Sequence, residues 1–139
     1  TRHIYDSAQT IDFIDKNDIK TCTDLGSGAG LPGIVLGIIM SSKKPTFKVI
    51  FYEKSYHKSN FLREMSKKFK LDAEIYQKNI FNEKNLITDV IISRAFKPLP
   101  VIFQIAKTNF TIMFSEFEYS TGSICKTCYS ANAVMIQAK

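Results

Sequence analysis

An α/β fold, a mostly parallel sheet with helices on both faces, is what this sequence predicts, and three observations predict it. A short strand runs into a glycine-rich turn and restarts as an apolar helix within residues 20–40. Strand and helix patterns then alternate to about residue 106. Four polar segments, at 26–30, 53, 79–81 and 93–94, fall at the ends of successive strands. In parallel sheets that is the edge where a ligand sits.

Each element follows from local pattern. Ile4, Ala8, Ile11 and Ile14 recur at spacings of three and four, one apolar helix face, with Asp6-Ser7 able to cap its start. Lys20 to Thr23 is a strand, and Asp24-Leu25-Gly26-Ser27-Gly28-Ala29-Gly30-Leu31-Pro32-Gly33 is the turn that follows it. Glycine tolerates positive φ and lets a ligand approach bare backbone. The helix of Ile34 to Met40 begins there with unpaired N–H groups, and Pro32 suits a first turn because its missing N–H costs nothing. Phe47 to Tyr52 is a second strand ending at Glu53, twenty residues past Gly33, where an acid accepts both hydroxyls of a ribose.

Ser59 to Lys70 is a helix whose expected buried face is Phe61, Met65 and Phe69. Ala73 to Tyr76 is a third strand with Gln77 to Phe81 as its exit, and Asp89 to Ala95 is a fourth. Pro98 and Pro100 break the chain before a helix at Val101 to Ala106. Beyond Asn109 the pattern gives strands at Thr111 to Phe114 and Ala133 to Ile136, joined through a turn-rich linker at Tyr119 to Ser123. Cys125-Lys126-Thr127-Cys128 lacks the second pair a tetrahedral zinc site needs, and a redox pair belongs at a helix start. No metal is expected.

Composition narrows the class. The chain has 139 residues, 45% apolar and 23% charged, as expected for one soluble domain spanning residues 1–139. No run is apolar enough to cross a bilayer, and three cysteines are no disulfide framework, so a cytoplasmic, non-membrane protein is expected. The first residue is Thr rather than Met, which reads as a fragment. The net charge of +6 is uneven: residues 1–24 carry −2, residues 43–84 carry +6 and the remainder +2. Such a basic stretch attracts a polyanion such as RNA, although sixteen lysines against three arginines also reads as compositional bias.

Two cofactor classes fit the turn. Gly28 to Gly33 satisfies G-x-G-x-x-G, a weak sign of a dinucleotide. Asp24 is the discriminator, because a carboxylate at the mouth of the cradle repels a pyrophosphate and favours the ammonium and sulfonium of S-adenosylmethionine.

Four segments in order, Arg2-His3-Ile4-Tyr5-Asp6-Ser7, Asp24 to Gly33, Phe61-Leu62-Arg63-Glu64 and Ser93-Arg94-Ala95-Phe96, carry a family likeness. The chain resembles the glucose-inhibited division protein B family, bacterial methyltransferases of the 16S ribosomal RNA that modify a guanine N7. The likeness covers about residues 2–100, lacks the helices that normally precede Arg2, and does not extend over 109–139. It implies a Rossmann-like S-adenosylmethionine-dependent methyltransferase fold. Asp24, Gly26, Gly28, Gly30, Leu31, Glu53, Ile80, Phe81 and Arg94 are the candidate donor-binding residues. Arg2, His3, Ser93 and Arg94 are candidates for the RNA side. Where the family has an Arg and then a Glu at the third strand's exit, this chain has Asn79 and Phe81.

The chemistry implied is direct displacement at the sulfonium methyl by guanine N7. That nitrogen carries a free lone pair and no proton, so alignment suffices and no catalytic acid or base is nominated. The expected partner is 16S ribosomal RNA or the small ribosomal subunit, met by a monomer. Two alternatives stand beside this: an NAD-dependent oxidoreductase, and an inactive truncated copy that retains RNA affinity.

Overall fold

The computed structural model describes residues 19–84, 86–94, 97–107, 112–118, 124–130 and 134–138, together with Ile4, Ala8, Ile11 and Ile14. Strand β1 is Thr21–Leu25, helix α1 Gly33–Lys43, strand β2 Lys48–Tyr52, helix α2 Tyr56–Lys68 and strand β3 Ala73–Tyr76. A 3-10 turn at Ile80–Asn82 precedes strand β4, Val90–Arg94, and helix α3, Leu99–Lys107. Strands β5 (Ile112–Glu118), β6 (Ile124–Ser130) and β7 (Val134–Ala138) complete the chain.

All seven strands form one sheet in the order β3-β2-β1-β4-β7-β6-β5. The β3-β2-β1-β4-β7 contacts are parallel, and β5-β6-β7 is an antiparallel meander attached through β7. The chain builds outward from β1 on one side to β3, then crosses back to place β4 on β1's other side. The reversal makes the carboxyl end of β1, where the glycine turn begins, a crevice flanked by strands on both sides.

Strand alternation divides the core into two layers. Cys22, Val49, Phe51, Val90 and Ile92 pack with Ile34, Leu36 and Met40 of α1 and Leu62 of α2. Leu25, Tyr52 and Ile91 pack on the opposite face with Ile102 and Ile105 of α3. Helices on both faces are therefore present as expected. Ile11 and Ile14 are helical and join the first cluster, whereas Ile4 is exposed.

Two expectations are corrected. Helix α2 starts at Tyr56 and buries Ser59, Leu62 and Ser66, with Met65 partly covered. Phe61 and Phe69 are 40% and 44% exposed. Spacings of four drift by about 40° per step on a helix of 3.6 residues per turn. A line through 61, 65 and 69 therefore winds off the contact face. The Ser59 hydroxyl sets that face instead, donating to the carbonyl of Glu53 at 3.0 Å.

The second correction lies near the carboxyl end. The strands expected at 111–114 and 133–136 correspond to β5 and β7, but the Cys125–Cys128 segment is itself a strand, β6. An extended strand is not the helix start that a redox pair uses. Among the described residues no helix is long and apolar enough to cross a membrane.

Candidate functional site

The site grows from what Asp24 does. Alternation along β1 turns Asp24 to the same side as Cys22, toward α1, and leaves it with no exposed surface. Helix α1 has no acid in its first turn, and Pro32 before it supplies no side-chain cap. Asp24 Oδ2 fills that role by accepting the N–H of Gly33 at 3.0 Å. Burial pushes its carboxyl up to about 7, opposed by the Gly33 N–H and reinforced by the nearby charge of Glu53. The same burial, with Asp24 beside it, raises the Cys22 thiol. The expectation that Asp24 stands at the mouth of the cradle is thus corrected. Its Oδ2 ties β1 to α1 behind the turn, while its Oδ1 is buried without a hydrogen-bond partner among the described residues.

The turn itself is shaped by positive φ at Gly26 (67°), Gly28 (56°) and Gly30 (82°). A Cβ at Gly28 would find its nearest neighbour, the carbonyl of Gly26, at 3.8 Å, so the backbone there borders open space. Gly33 is different: a Cβ would stand 2.5 Å from Phe51 Cε1 and 2.6 Å from Asp24 Oδ2. The first glycine serves the cleft and the second serves packing.

Glu53 is the carboxylate that does face the cleft. It is 7% exposed, its Oε2 accepts the N–H of Gly28 at 3.0 Å, and its Oε1 accepts the N–H of Ser55 at 2.8 Å. The acid thus fastens the glycine turn to the end of β2. Each of its oxygens retains acceptor capacity.

A cleft of about 270 Å³ opens along this edge, lined by Gly26, Gly28, Tyr52, Glu53, Asn79 and Ile80, and rimmed by Lys54, Lys58, Lys78 and Lys97. Every one of these lies at or follows the carboxyl end of β1, β2, β3 or β4. Of the candidate donor residues, Gly26, Gly28, Glu53 and Ile80 come together here. Gly30 lies under Ile34 and Leu62, Leu31 is half-buried away from the lining, and Phe81 is 47% exposed outside it. Asn79 caps the turn at Ile80–Asn82, its side chain accepting the N–H of Phe81 at 3.2 Å.

At the end of β4, alternation separates two candidates. Ser93 is fully buried, and Arg94 is half-buried with its Nη1 enclosed and without a hydrogen-bond partner among the described residues. Adjacent strand positions face opposite ways, so Ser93 and Arg94 do not serve one point together. Arg2 and His3 lie outside the described residues.

Sequence reasoning missed Tyr52. Its hydroxyl donates to Glu83 Oε2 at 3.0 Å, its ring stacks on Tyr76 at 5.2 Å, and Lys78 pairs with Glu83 while lying over both rings. Burial, then the Glu83 carboxylate, raises the Tyr52 phenol well above its ordinary range. This network holds the turn at Ile80–Asn82 against β2. Glu83 following Lys78 at five residues was the one available signal, and it is a weak one.

Comparison with known proteins decides the family. The family described as GidB, rRNA small subunit methyltransferase G, has a model that matches residues 1–113. The chain belongs to that family. It is 50% identical over 109 residues to the ribosomal RNA small subunit methyltransferase G of Pelagibacter ubique, covering 78% of this chain and 51% of that protein. The namesake from Cereibacter sphaeroides is 34% identical over 106 residues, 76% of this chain and 51% of that one. The chain thus spans about half the length of the curated relatives it matches. Among solved structures, StiE O-MT superposes with a TM-score of 0.60 at 17% identity, over 84% of this chain and 45% of that one. Coclaurine N-methyltransferase bound to N-methylheliamine and SAH gives 0.56 at 19%, over 79% and 35%. These likenesses establish the Rossmann-like methyltransferase fold.

Proposed function

We propose that this GidB-family chain binds S-adenosylmethionine in the cleft above β1 and β2 and takes part in methyl transfer to the N7 of a guanine in 16S ribosomal RNA. The observation that carries the donor assignment is Glu53: a nearly buried carboxylate, fixed by the Gly28 and Ser55 N–H groups at the end of β2. Its remaining acceptor capacity suits the two hydroxyls of a ribose. Ile80 offers an apolar wall for the adenine, and open space beside Gly28 admits the ligand to bare backbone.

When bound, the donor supplies an electrophilic methyl on a sulfonium. The chain's part is alignment, because N7 attacks with its own lone pair and gives up no proton. Arg94 is the candidate for orienting the guanine, its Nη1 enclosed at the end of β4 without a hydrogen-bond partner among the described residues. A planar guanidinium can fork onto O6 or stack on the base. The corresponding partner is 16S ribosomal RNA or the small subunit, met in the cytoplasm by a monomer that uses no metal.

Calorimetric titration with S-adenosylmethionine and with NADH tests the donor assignment. Methyl transfer to deproteinised small-subunit RNA, with mass spectrometry of the nucleosides, tests the reaction. Uptake of the methyl donor alone and 7-methylguanosine in the digest are expected, with product lost in Arg94→Ala. Binding of NADH in place of the donor would overturn the reading.

A further inference from the structure

We propose that Lys54, Lys58 and Lys97 form a phosphate-binding rim that holds an RNA backbone along the donor cleft. The inference rests on the methyltransferase reading for the cleft itself and adds where the nucleic acid lies. Three observations carry it.

The first is convergence. Lys54 and Lys58 follow β2, whereas Lys97 follows β4, the strand on the other side of β1. The two groups therefore flank the glycine turn. A polyanion reaching from one to the other must pass over the cleft.

The second is local cost. Lys58 stands in the first turn of α2, which has no acid there and no side-chain cap on Ser55. A cation at a helix N-terminus is disfavoured by the aligned backbone dipoles. Among the described residues neither Lys54 nor Lys58 has an ion-pair partner. Lys78 is excluded from the rim's working set because Glu83 already pairs with it.

The third is charge sign. Glu53 is the one carboxylate among the described residues lining the cleft, and both its oxygens accept backbone N–H groups. The outer edge is left cationic. S-adenosylmethionine carries a sulfonium, an ammonium and one carboxylate, a net positive charge that such an edge repels. These lysines therefore oppose the donor's own charge and suit a polyanion. RNA is the polyanion that the family's substrate class brings to this face.

The test uses the full chain and a fluorescein-labelled single-stranded RNA of about 20 nucleotides, with affinity read by anisotropy across a salt series. Each phosphate contact contributes about −0.7 to the slope of log K against log salt for single strands. The double variant Lys54→Gln/Lys58→Gln is expected to reduce the slope's magnitude by about 1.4. Lys67→Gln/Lys68→Gln, an equal charge loss on exposed positions of the same helix outside the cleft, should leave it unchanged. Equal slope changes in both pairs, or none in the cleft pair, overturn the rim. Circular dichroism melts check that both variants fold. Titration of the unmodified chain with S-adenosylmethionine separates the two readings. Donor binding with an unaltered slope in the cleft pair removes the rim alone. The expected slopes without donor binding remove the methyltransferase reading and leave the rim.

Discussion

Asp24 Oδ2 accepts the N–H of Gly33 at 3.0 Å, nine residues along the chain, and so clasps the glycine turn from behind. The approach is close enough to exclude a methyl group at Gly33, since a Cβ would fall 2.6 Å from that oxygen and 2.5 Å from Phe51. Gly33→Ala is therefore expected to lose about 1–3 kcal/mol of stability, the usual range for overpacking a core. Urea unfolding measures this, and an unchanged midpoint would mean the contact yields freely.

The buried Asp24 carboxyl makes stability depend on pH. Its pKa rises from 3.8 to about 7 on folding, so between those values the folded chain holds a proton that the unfolded chain releases. The resulting stabilisation is complete below 3.8 and is lost as pH rises through about 7. Measured against Asp24→Asn, the wild-type stability should fall across that window by at most about 1.4 kcal/mol per pH unit. A difference that is flat, or that climbs with pH, would refute the assignment.

Glu53 holds the turn and, by our reading, the ribose. Glu53→Gln replaces one acceptor oxygen with a donor and removes the charge behind the other. Charge-assisted hydrogen bonds contribute about 1.5–3 kcal/mol, which sets the expected loss of S-adenosylmethionine affinity at about ten- to a hundredfold. Calorimetry reads it directly. Undiminished affinity in a folded Glu53→Gln protein would place the ribose elsewhere.

Tyr52 is expected to act through the wall it braces. Tyr52→Phe keeps the stack on Tyr76 but removes the bond to Glu83. A loss of about 1.5–3 kcal/mol follows for a bond to a charged acceptor, with several-fold weaker donor binding as the Ile80–Asn82 turn loosens. Hydrogen exchange of the Ile80–Asn82 amides distinguishes this from a global effect: those amides should exchange faster than the amides of β1.

Much of this protein was legible from residue order alone. The strand–turn–helix at Thr21 to Lys43 and the acid after β2 are local or regularly spaced signals, and parallel topology brings such strand ends to one edge. What the tertiary structure decided was the direction of individual side chains. Strand parity turned Asp24 inward to cap α1 and separated Ser93 from Arg94. Sheet packing chose Ser59, Leu62 and Ser66 over Phe61 and Phe69 as the buried side of α2. The lysines of the rim and the Tyr52–Glu83 bond join residues far apart in the chain, and no short-range pattern encodes which distant charges will meet. Periodicity is a property of neighbours, whereas a site is made by chain crossings that only the folded sheet brings together.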